Sequence, residues 1–273
     1  MVAIAWLRLH KLGESNQVSQ PKGFLSLLLA NGKPTTVVVT DSSLGAYRMI
    51  FEKTVSLDAY LDRSYLHSAS EFSSDTLNHG VWNYLDASPQ TSVTSMLISS
   101  EIQEASAPEA VDLKHPHDLN MRDIEYGNYI FLGGPWINPW VQLFENRLNF
   151  RIVPLQDEPW GASIHIMNPI PGKPAVFEQH NEGALTISYV RFVLLRNQSN
   201  DGYIVLLSGA TDEAVEAREK FFMSEPQMET LLKTLHVAMP QELPSIEVLI
   251  ETRGLQSVPQ GFHVVAEDII SGQ

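Results

Sequence analysis

Three segments of the chain place glycine, serine, aspartate or asparagine directly after an apolar strand-like run and directly before a predicted helix. They are TTVVVT-DSSLG (35–45), YIFLGG-PWINPW (129–140) and YIVLLSG-ATDE (203–213). In open α/β sheets, ligands bind outside the carboxyl ends of the strands, and free N–H groups at helix starts bind an anion or a carbonyl oxygen. If the three strands are parallel neighbours, we expect one ligand-binding rim formed by Asp41, Ser42, Ser43, Gly133, Gly134, Asn138, Ser208 and Gly209. The alternative is that these residues are the caps and turns that any α/β protein needs.

Two tryptophans follow the glycine pair of the second segment. Trp136 and Trp140 are four residues apart, so on a helix they lie on one face. They could wall a pocket for a flat or sugar-like ligand, with Asn138 supplying polar contacts, or they could pack at an interface between lobes. Gly133 and Gly134 carry no side chains and permit the close approach of a ligand or of another chain segment.

The motifs of several familiar chemistries are missing. No G-x-G-x-x-G follows a strand, and there is no Walker-type loop, no H-E-x-x-H and no G-x-S-x-G. His115 and His117 in KHPHD resemble a pair of metal ligands, but Pro116 favours an extended backbone and no second cluster is evident, so we interpret this segment as a solvated loop. A triad of Asp41, a histidine and Ser42 or Ser208 can be drawn, but nothing in the spacing selects it. We therefore expect no metal and no cofactor, and we favour binding over catalysis.

Composition excludes further classes. The chain has 273 residues with 44% hydrophobic and 18% charged, so a sizeable core is expected. Its net charge is −14, and no cluster of Lys and Arg offers a basic face, so nucleic-acid binding is not expected. The absence of cysteine removes disulfides, thiolate metal sites and cysteine nucleophiles.

The elements that must position the rim alternate along the chain. Apolar, β-branched runs predict strands at 35–40, 111–115, 128–134, 189–197, 202–209, 245–254 and 261–269. The strands at 189–197 and 202–209 are predicted to pair around a polar, hairpin-type loop at 198–202. Helices are predicted at 24–30, 117–125, 139–150, 211–223 and 224–235, and residues 54–87 are predicted to be mostly helical with polar interruptions. Residues 92–100 could be either a helix or a strand. Near-continuous Val/Ile/Leu strands between amphipathic helices predict an α/β fold with a mixed sheet, helices on both faces and a Rossmann-like or periplasmic-binding-like layout.

The chain length fits one enlarged domain or two lobes. We predict a flexible N-terminal segment at 1–20, a first α/β lobe at 21–110 and a second at 111–273. The apolar run Val2–Leu7 is too short to span a membrane, which takes about 20 residues, but it could be the remnant of a longer span.

Four segments together resemble a family of uncharacterised bacterial α/β domains. They are GFLSLLLANGKPTTVVVTD, VSLDAYL, DIEYGNYIFLGGPWINPWVQLFENRLNFRI and GYIVLLSGATDEAVEAREKFFMSE, within residues 22 to 235. Members often follow a DNA-binding region and a single membrane span, so the resemblance implies a sensory or regulatory role and a membrane tether upstream. The chain departs from the family at Gly209-Ala210-Thr211-Asp212, where relatives carry a Gly-Thr element.

These observations lead to three hypotheses. The first is a non-catalytic domain that binds an unknown small molecule at the rim and serves as a sensor, either in the cytoplasm or tethered on the outer side of the inner membrane. The second is a hydrolase or transferase that uses a serine or carboxylate of the same rim. The third is an interaction module, such as a homodimer, anchored by Trp136, Trp140 and Trp160.

Overall fold

The computed structural model of the chain describes residues 22–66, 91–106, 110–155, 161–209, 220–237, 243–255 and 258–270. Its helices are α1 (Gly23–Ala30), α2 (Ser42–Phe51), α3 (Leu57–Leu61), α4 (Val93–Glu104), α5 (Gln142–Glu145) and α6 (Glu225–Thr234). Short 3-10 turns occupy Pro116–Asp118, Asp123–Glu125 and Pro139–Val141. The strands are β1 (Thr35–Val38), β2 (Val111–Lys114), β3 (Asn128–Leu132), β4 (Phe150–Pro154), β5 (Ala162–Ile166), β6 (Val176–Glu178), β7 (His180–Glu182), β8 (Leu185–Arg196), β9 (Tyr203–Gly209), β10 (Ile246–Leu255) and β11 (Val258–Ile269).

An eight-stranded mixed sheet forms the centre of the fold, with the order β11-β10-β8-β9-β3-β1-β2 and β7 paired with β8. The strands β9, β3, β1 and β2 are parallel, whereas β8, β10 and β11 pair antiparallel. A second, antiparallel sheet consists of β4, β5 and β6. The α/β class, the mixed sheet and the antiparallel β8–β9 pair agree with the prediction from sequence.

The parallel strands are apolar throughout because both of their faces are covered. On β3, Ile130 and Leu132 pack into a core with residues of α1, α4 and α6. The alternate residues Tyr129 and Phe131 pack on the other face, in a core that includes Trp140, Phe144 and Leu57. Successive side chains of a strand point to opposite faces, so a strand buried on both sides shows no polar alternation.

The two predicted lobes share one sheet. Strand β1, from the predicted first lobe, lies between β2 and β3, which belong to the predicted second lobe. The predicted flexible segment at 1–20 lies outside the described residues, as do most of the predicted helix at 211–223 and Trp160. Among the described helices, none combines the length and the apolar character that crossing a membrane requires.

The predicted helix at 139–150 is wrong. A 3-10 turn and the four-residue helix α5 replace it, and the chain then enters β4 at Phe150. The cause is a tertiary contact: the buried carboxylate of Glu247 on β10 accepts hydrogen bonds from the N–H groups of Asn149 (2.6 Å) and Phe150 (2.9 Å). These donors are thereby withdrawn from a helical ladder.

The structure also decides the predictions for two other segments. Residues 92–100, ambiguous in sequence, begin the helix α4, because the Ser92 side chain accepts a hydrogen bond from the Ser95 N–H at 3.1 Å and caps it. The predicted helix at 117–125 consists instead of two separate 3-10 turns.

Side-chain amides tie together the amino ends of the parallel strands. The buried Asn128 donates to the carbonyl of Leu28 (3.0 Å) and to the hydroxyl of Thr35 (3.1 Å), and its Oδ1 accepts from the Tyr203 N–H (3.0 Å). Gly202 lies so close to the carbonyl of Gly127 that an added Cβ would strike it. This end of the sheet therefore leaves no room for a side chain at position 202.

Candidate functional site

The carboxyl ends of β1, β2, β3 and β9 lie at one edge of the sheet because these four strands are parallel. The residues that follow them form what we call the carboxyl-end rim: 40–43 after β1, 115–117 after β2, 133–138 after β3, and Ser208 at the end of β9. The three strands singled out in the sequence, β1, β3 and β9, are adjacent. The structure therefore brings the predicted site residues to a common edge.

Asp41 is the buried centre of one part of this rim, with 1% of its surface exposed. It caps α2: its Oδ1 accepts hydrogen bonds from the backbone N–H (3.0 Å) and the hydroxyl (2.5 Å) of Ser43. Its Oδ2 accepts a hydrogen bond from the hydroxyl of Tyr60 on α3 at 2.9 Å. Ser42, partly buried, is the first residue of α2. Asp41 therefore ties α2 to α3.

His115 and His117 also face Asp41. The Nε2 atoms of His117 and His115 lie 3.5 Å and 3.9 Å from Asp41 Oδ2, and the His117 ring stacks on Tyr60 with centroids 4.0 Å apart. The interpretation of this segment as a solvated loop is therefore wrong. The 3-10 turn Pro116–Asp118 begins with a capping box. His115 Nδ1 accepts a hydrogen bond from the His117 N–H, and the Asp118 carboxylate accepts one from the His115 N–H, each at 3.3 Å.

Burial sets the protonation of this cluster. It raises the pKa of Tyr60 far above its ordinary value, and the negative charge of Asp41 adds to the effect, so Tyr60 remains a neutral donor. Burial lowers the pKa of His117; Asp41 opposes this shift, and His115 reinforces it. His117, whose side chain is 28% exposed, is thus a neutral imidazole near neutral pH beside a buried carboxylate.

The glycine pair after β3 makes room for neighbouring side chains. Gly133 has φ +93°, and a Cβ there would lie 2.6 Å from Thr40 Cγ2. A Cβ at Gly134 would lie 2.9 Å from the Trp136 ring. Asn138, fully buried, donates through Nδ2 to the carbonyl of Leu132 at 3.0 Å and to those of Val38 and Val39 at 3.4 Å. These residues hold the exits of β1 and β3 together.

The two tryptophans have different surroundings. Trp140 is fully buried and donates through Nε1 to the carbonyl of Pro116 at 2.8 Å. Trp136 lines a cavity of about 290 Å³, which we call the Trp136 cavity. Its other lining residues are Thr54, Val55, Ser56, Pro135, Gln142 and Pro154.

Arg48 of α2 contacts the Trp136 ring but is not itself one of the residues that line the cavity. Its guanidinium carbon is 5.3 Å from the centroid of the Trp136 ring, and its Nη2 donates to the carbonyl of Leu155 at 2.8 Å. Its Nη1 is buried and has no hydrogen-bond partner among the residues that the structure describes. Burial lowers the pKa of Arg48. A cation with an unused donor therefore adjoins the Trp136 cavity.

Gln142 holds the cavity in shape. Its Nε2 donates to the carbonyls of Val55 and Pro135, each at 2.9 Å, and its Oε1 accepts from the Leu57 N–H at 2.9 Å. The wall formed by Val55 and the wall formed by Pro135 are thereby fixed to each other.

Ser208 is fully buried, and its hydroxyl donates to the carbonyl of Gly133 at 2.9 Å, so it joins β9 to the exit of β3. Sequence reasoning missed Arg48, Tyr60 and the contact of His117 with Asp41. The KHPHD motif was visible, but its partner Asp41 is more than 70 residues away, and only the β1–β2 pairing makes them neighbours. No signal in the sequence distinguishes Arg48 from an ordinary helix residue.

In the part of the chain that the structure describes, no group of three His, Cys, Asp or Glu residues is arranged to hold a metal ion. No protein-family model matches the chain, and neither a curated protein nor a solved structure matches it.

Proposed function

We propose that this protein is a non-catalytic, small-molecule-binding domain with a sensory role, whose ligand occupies the Trp136 cavity at the carboxyl-end rim. The observation that carries the proposal is the position of this cavity, at the exit of β3 and beside the buried Arg48. Its volume of about 290 Å³ lies near the lower end of the range of roughly 300–1,000 Å³ for small-molecule sites.

The connections of the sheet support this location. The connection from β1 to β2 includes α2 and α3 and enters β2 from α4, whose Ile98 and Ile102 pack on one face of the sheet. From β2 it reaches β3, on the other side of β1, through a segment whose Leu119 packs on the opposite face. The element that enters β2 and the segment that enters β3 thus pack on opposite faces, as they do at the switch point at which doubly wound sheets bind ligands. On this basis we propose a Rossmann-like layout for the parallel half.

The lining of the cavity defines the class of ligand. Pro135, Trp136 and Pro154 supply apolar surface, whereas Thr54 and Ser56 bring hydroxyl groups. Positive charge on the adjacent guanidinium favours an anion or a carbonyl oxygen. The ligand that we propose is a small ring compound that carries a carboxylate or a carbonyl group.

A thermal-shift screen of ring carboxylates, ring amides and sugar acids tests the proposal, followed by calorimetry on each hit. We expect Thr54→Val to weaken a hit by about tenfold through the loss of one polar contact. Arg48→Met should weaken an anionic hit by about the same factor, because it removes the positive charge next to the cavity. Thr234→Val on α6 is the matched control and should leave the affinity unchanged. A hit whose affinity is insensitive to both cavity variants would contradict the assignment.

One observation favours a second candidate function, catalysis at the same rim. The partly exposed His117 next to buried Asp41 is the arrangement of a general base held by a carboxylate. The serines give no support, since Ser208 is fully buried against Gly133 and Ser43 caps α2. If this function is correct, His117→Asn should lower any hydrolysis of activated esters by about 100-fold or more. Equal rates in both proteins would remove the candidate.

The third hypothesis, an interaction module anchored by tryptophans, receives no support from Trp136 and Trp140, which are 4% and 0% exposed. A homodimer stays a prediction, which analytical ultracentrifugation tests.

A further inference from the structure

We propose that the protein has a second binding site, for an anion with an apolar body, at the opposite end of the parallel strands. The site is a cavity of about 470 Å³ beside Ile204, at the amino end of β9, and the turn that follows β8. We call it the amino-end cavity. It is larger than the Trp136 cavity and is formed by different residues.

The inner wall of this cavity is part of the hydrophobic core. Phe144 and Ile204 are 8% and 1% exposed and belong to the core cluster on this face of the sheet. Ile124 and Leu143, partly buried, pack against the same cluster and also line the cavity. The wall therefore offers an apolar body a surface that is held in place by core packing.

Two arginines line the polar side of the amino-end cavity. Arg196, at the end of β8, has its guanidinium carbon 4.3 Å from the centroid of the Tyr203 ring. Arg147 follows α5, and among the described residues no carboxylate lies within ion-pair distance of its side chain. A guanidinium binds carboxylate or sulfonate groups through parallel N–H donors.

The charge distribution makes this pair of cations unusual for the chain. The protein carries 32 acidic and 18 basic residues, yet among the described residues no aspartate or glutamate lines this cavity, and the remaining polar lining residues are amides. An apolar wall that adjoins two cations favours an anionic amphipathic molecule over a neutral or cationic one.

The turn beneath the cavity is held in one conformation before any ligand arrives. Asn197 donates through Nδ2 to the carbonyl of Gly127 at 3.0 Å and to Asp201 at 2.7 Å. Asp201 also accepts from Lys33 at 2.9 Å, which offsets its negative charge. A preformed site costs less conformational entropy on binding.

The probes that test this site are anilinonaphthalene sulfonate, which is an anion with an aromatic body, and its neutral analogue phenylnaphthylamine. The full chain is titrated with each probe and fluorescence is measured. We expect saturable binding of the anion, weakened about tenfold by Arg147→Gln and by Arg196→Gln, with the neutral probe changed by less than about twofold. Leu143→Asp, which brings a negative charge to the apolar wall, should weaken the anion most.

Arg253→Gln is the matched control, because it changes the net charge equally at an exposed position on β10. It should leave both probes unaffected. Urea unfolding of each variant verifies that the fold is retained. The proposal is overturned if the anion does not bind saturably, if both arginine variants keep wild-type affinity, or if the neutral probe loses as much as the anion.

Discussion

The hydrogen bond from Tyr60 to Asp41 gives the most direct test of the cluster at the rim. Tyr60→Phe removes one hydroxyl from a fully buried ring and keeps the stacking of that ring on His117. Asp41 Oδ1 keeps both donors from Ser43, but Oδ2 loses its 2.9 Å hydrogen bond. Its polar neighbours among the described side chains are then the two histidine nitrogens.

The magnitude follows from the burial and the charge of the acceptor. A hydrogen bond to a charged group contributes about 1.5–3 kcal/mol, and leaving a buried charged oxygen without it costs at least that much. We therefore expect the free energy of unfolding to fall by about 1.5–3 kcal/mol at about pH 8, where His117 is neutral. Without the hydroxyl, Asp41 acts more strongly on His117, so the pKa of His117 in the variant is higher than in the wild type.

The folded variant then binds a proton more readily than the folded wild type, and its deficit in stability shrinks as the pH falls. Urea unfolding, followed by circular dichroism at about pH 8 and about pH 6, measures both effects. Tyr47→Phe, in the same aromatic cluster, is the matched control and should cost less than about 0.5 kcal/mol, because the Tyr47 hydroxyl has no hydrogen bond among the described residues. The reasoning is refuted if Tyr60→Phe costs no more than Tyr47→Phe, or if its deficit grows in acid.

Three further predictions concern His117, Gly202 and Arg191. Because burial lowers the pKa of His117, this histidine binds a proton more readily in the unfolded chain, so the stability of the protein should fall as the pH drops below the ordinary pKa of about 6.5. In His117→Phe, the free energy of unfolding measured in urea should depend less on pH in that range. Gly202→Ala should lower the free energy of unfolding, measured in urea, by at least about 3 kcal/mol, because the new Cβ meets the backbone carbonyl of Gly127. The control Gly183→Ala, at a position with positive φ but open space, should lower it by about 1–2 kcal/mol, and equal costs would contradict the contact. Arg191→Met should lower the free energy of unfolding by about 3–5 kcal/mol, because it leaves Glu145 without its 2.6 Å and 3.0 Å hydrogen bonds. Adding Glu145→Gln should recover part of that loss, and fully additive effects in the double variant would refute the pairing.

Much of the secondary structure could be predicted because its causes are local. The apolar β-branched run of β1 and the antiparallel pair β8–β9 are patterns within single segments. Ser224 caps α6 by accepting a hydrogen bond from the N–H group three residues ahead, a contact that chain neighbours alone can make. The helix predicted over 139–150 failed because its competitor, Glu247, is about 100 residues away.

The candidate site divides in the same way. The sequence predicts that Asp41 and the glycine pair after β3 lie at strand exits, because a polar or small residue after a buried strand marks the end of that strand. Which side chains contact these residues could not be predicted from the sequence. Tyr60 reaches Asp41 from α3, and His117 reaches it from the turn after β2, so each contact depends on how whole elements pack.

The sequence by itself determined where this chain forms buried strands, where its helices are capped and which chemistries its missing motifs exclude, because these depend on residue type and short spacing. Only the tertiary structure decided that β1 lies between β2 and β3, that Arg48 adjoins the Trp136 cavity and that Arg147 and Arg196 share the amino-end cavity. The physical reason is that burial and charge pairing are set by side chains distant in sequence, whose approach is fixed by the packing of the sheet against its covering elements.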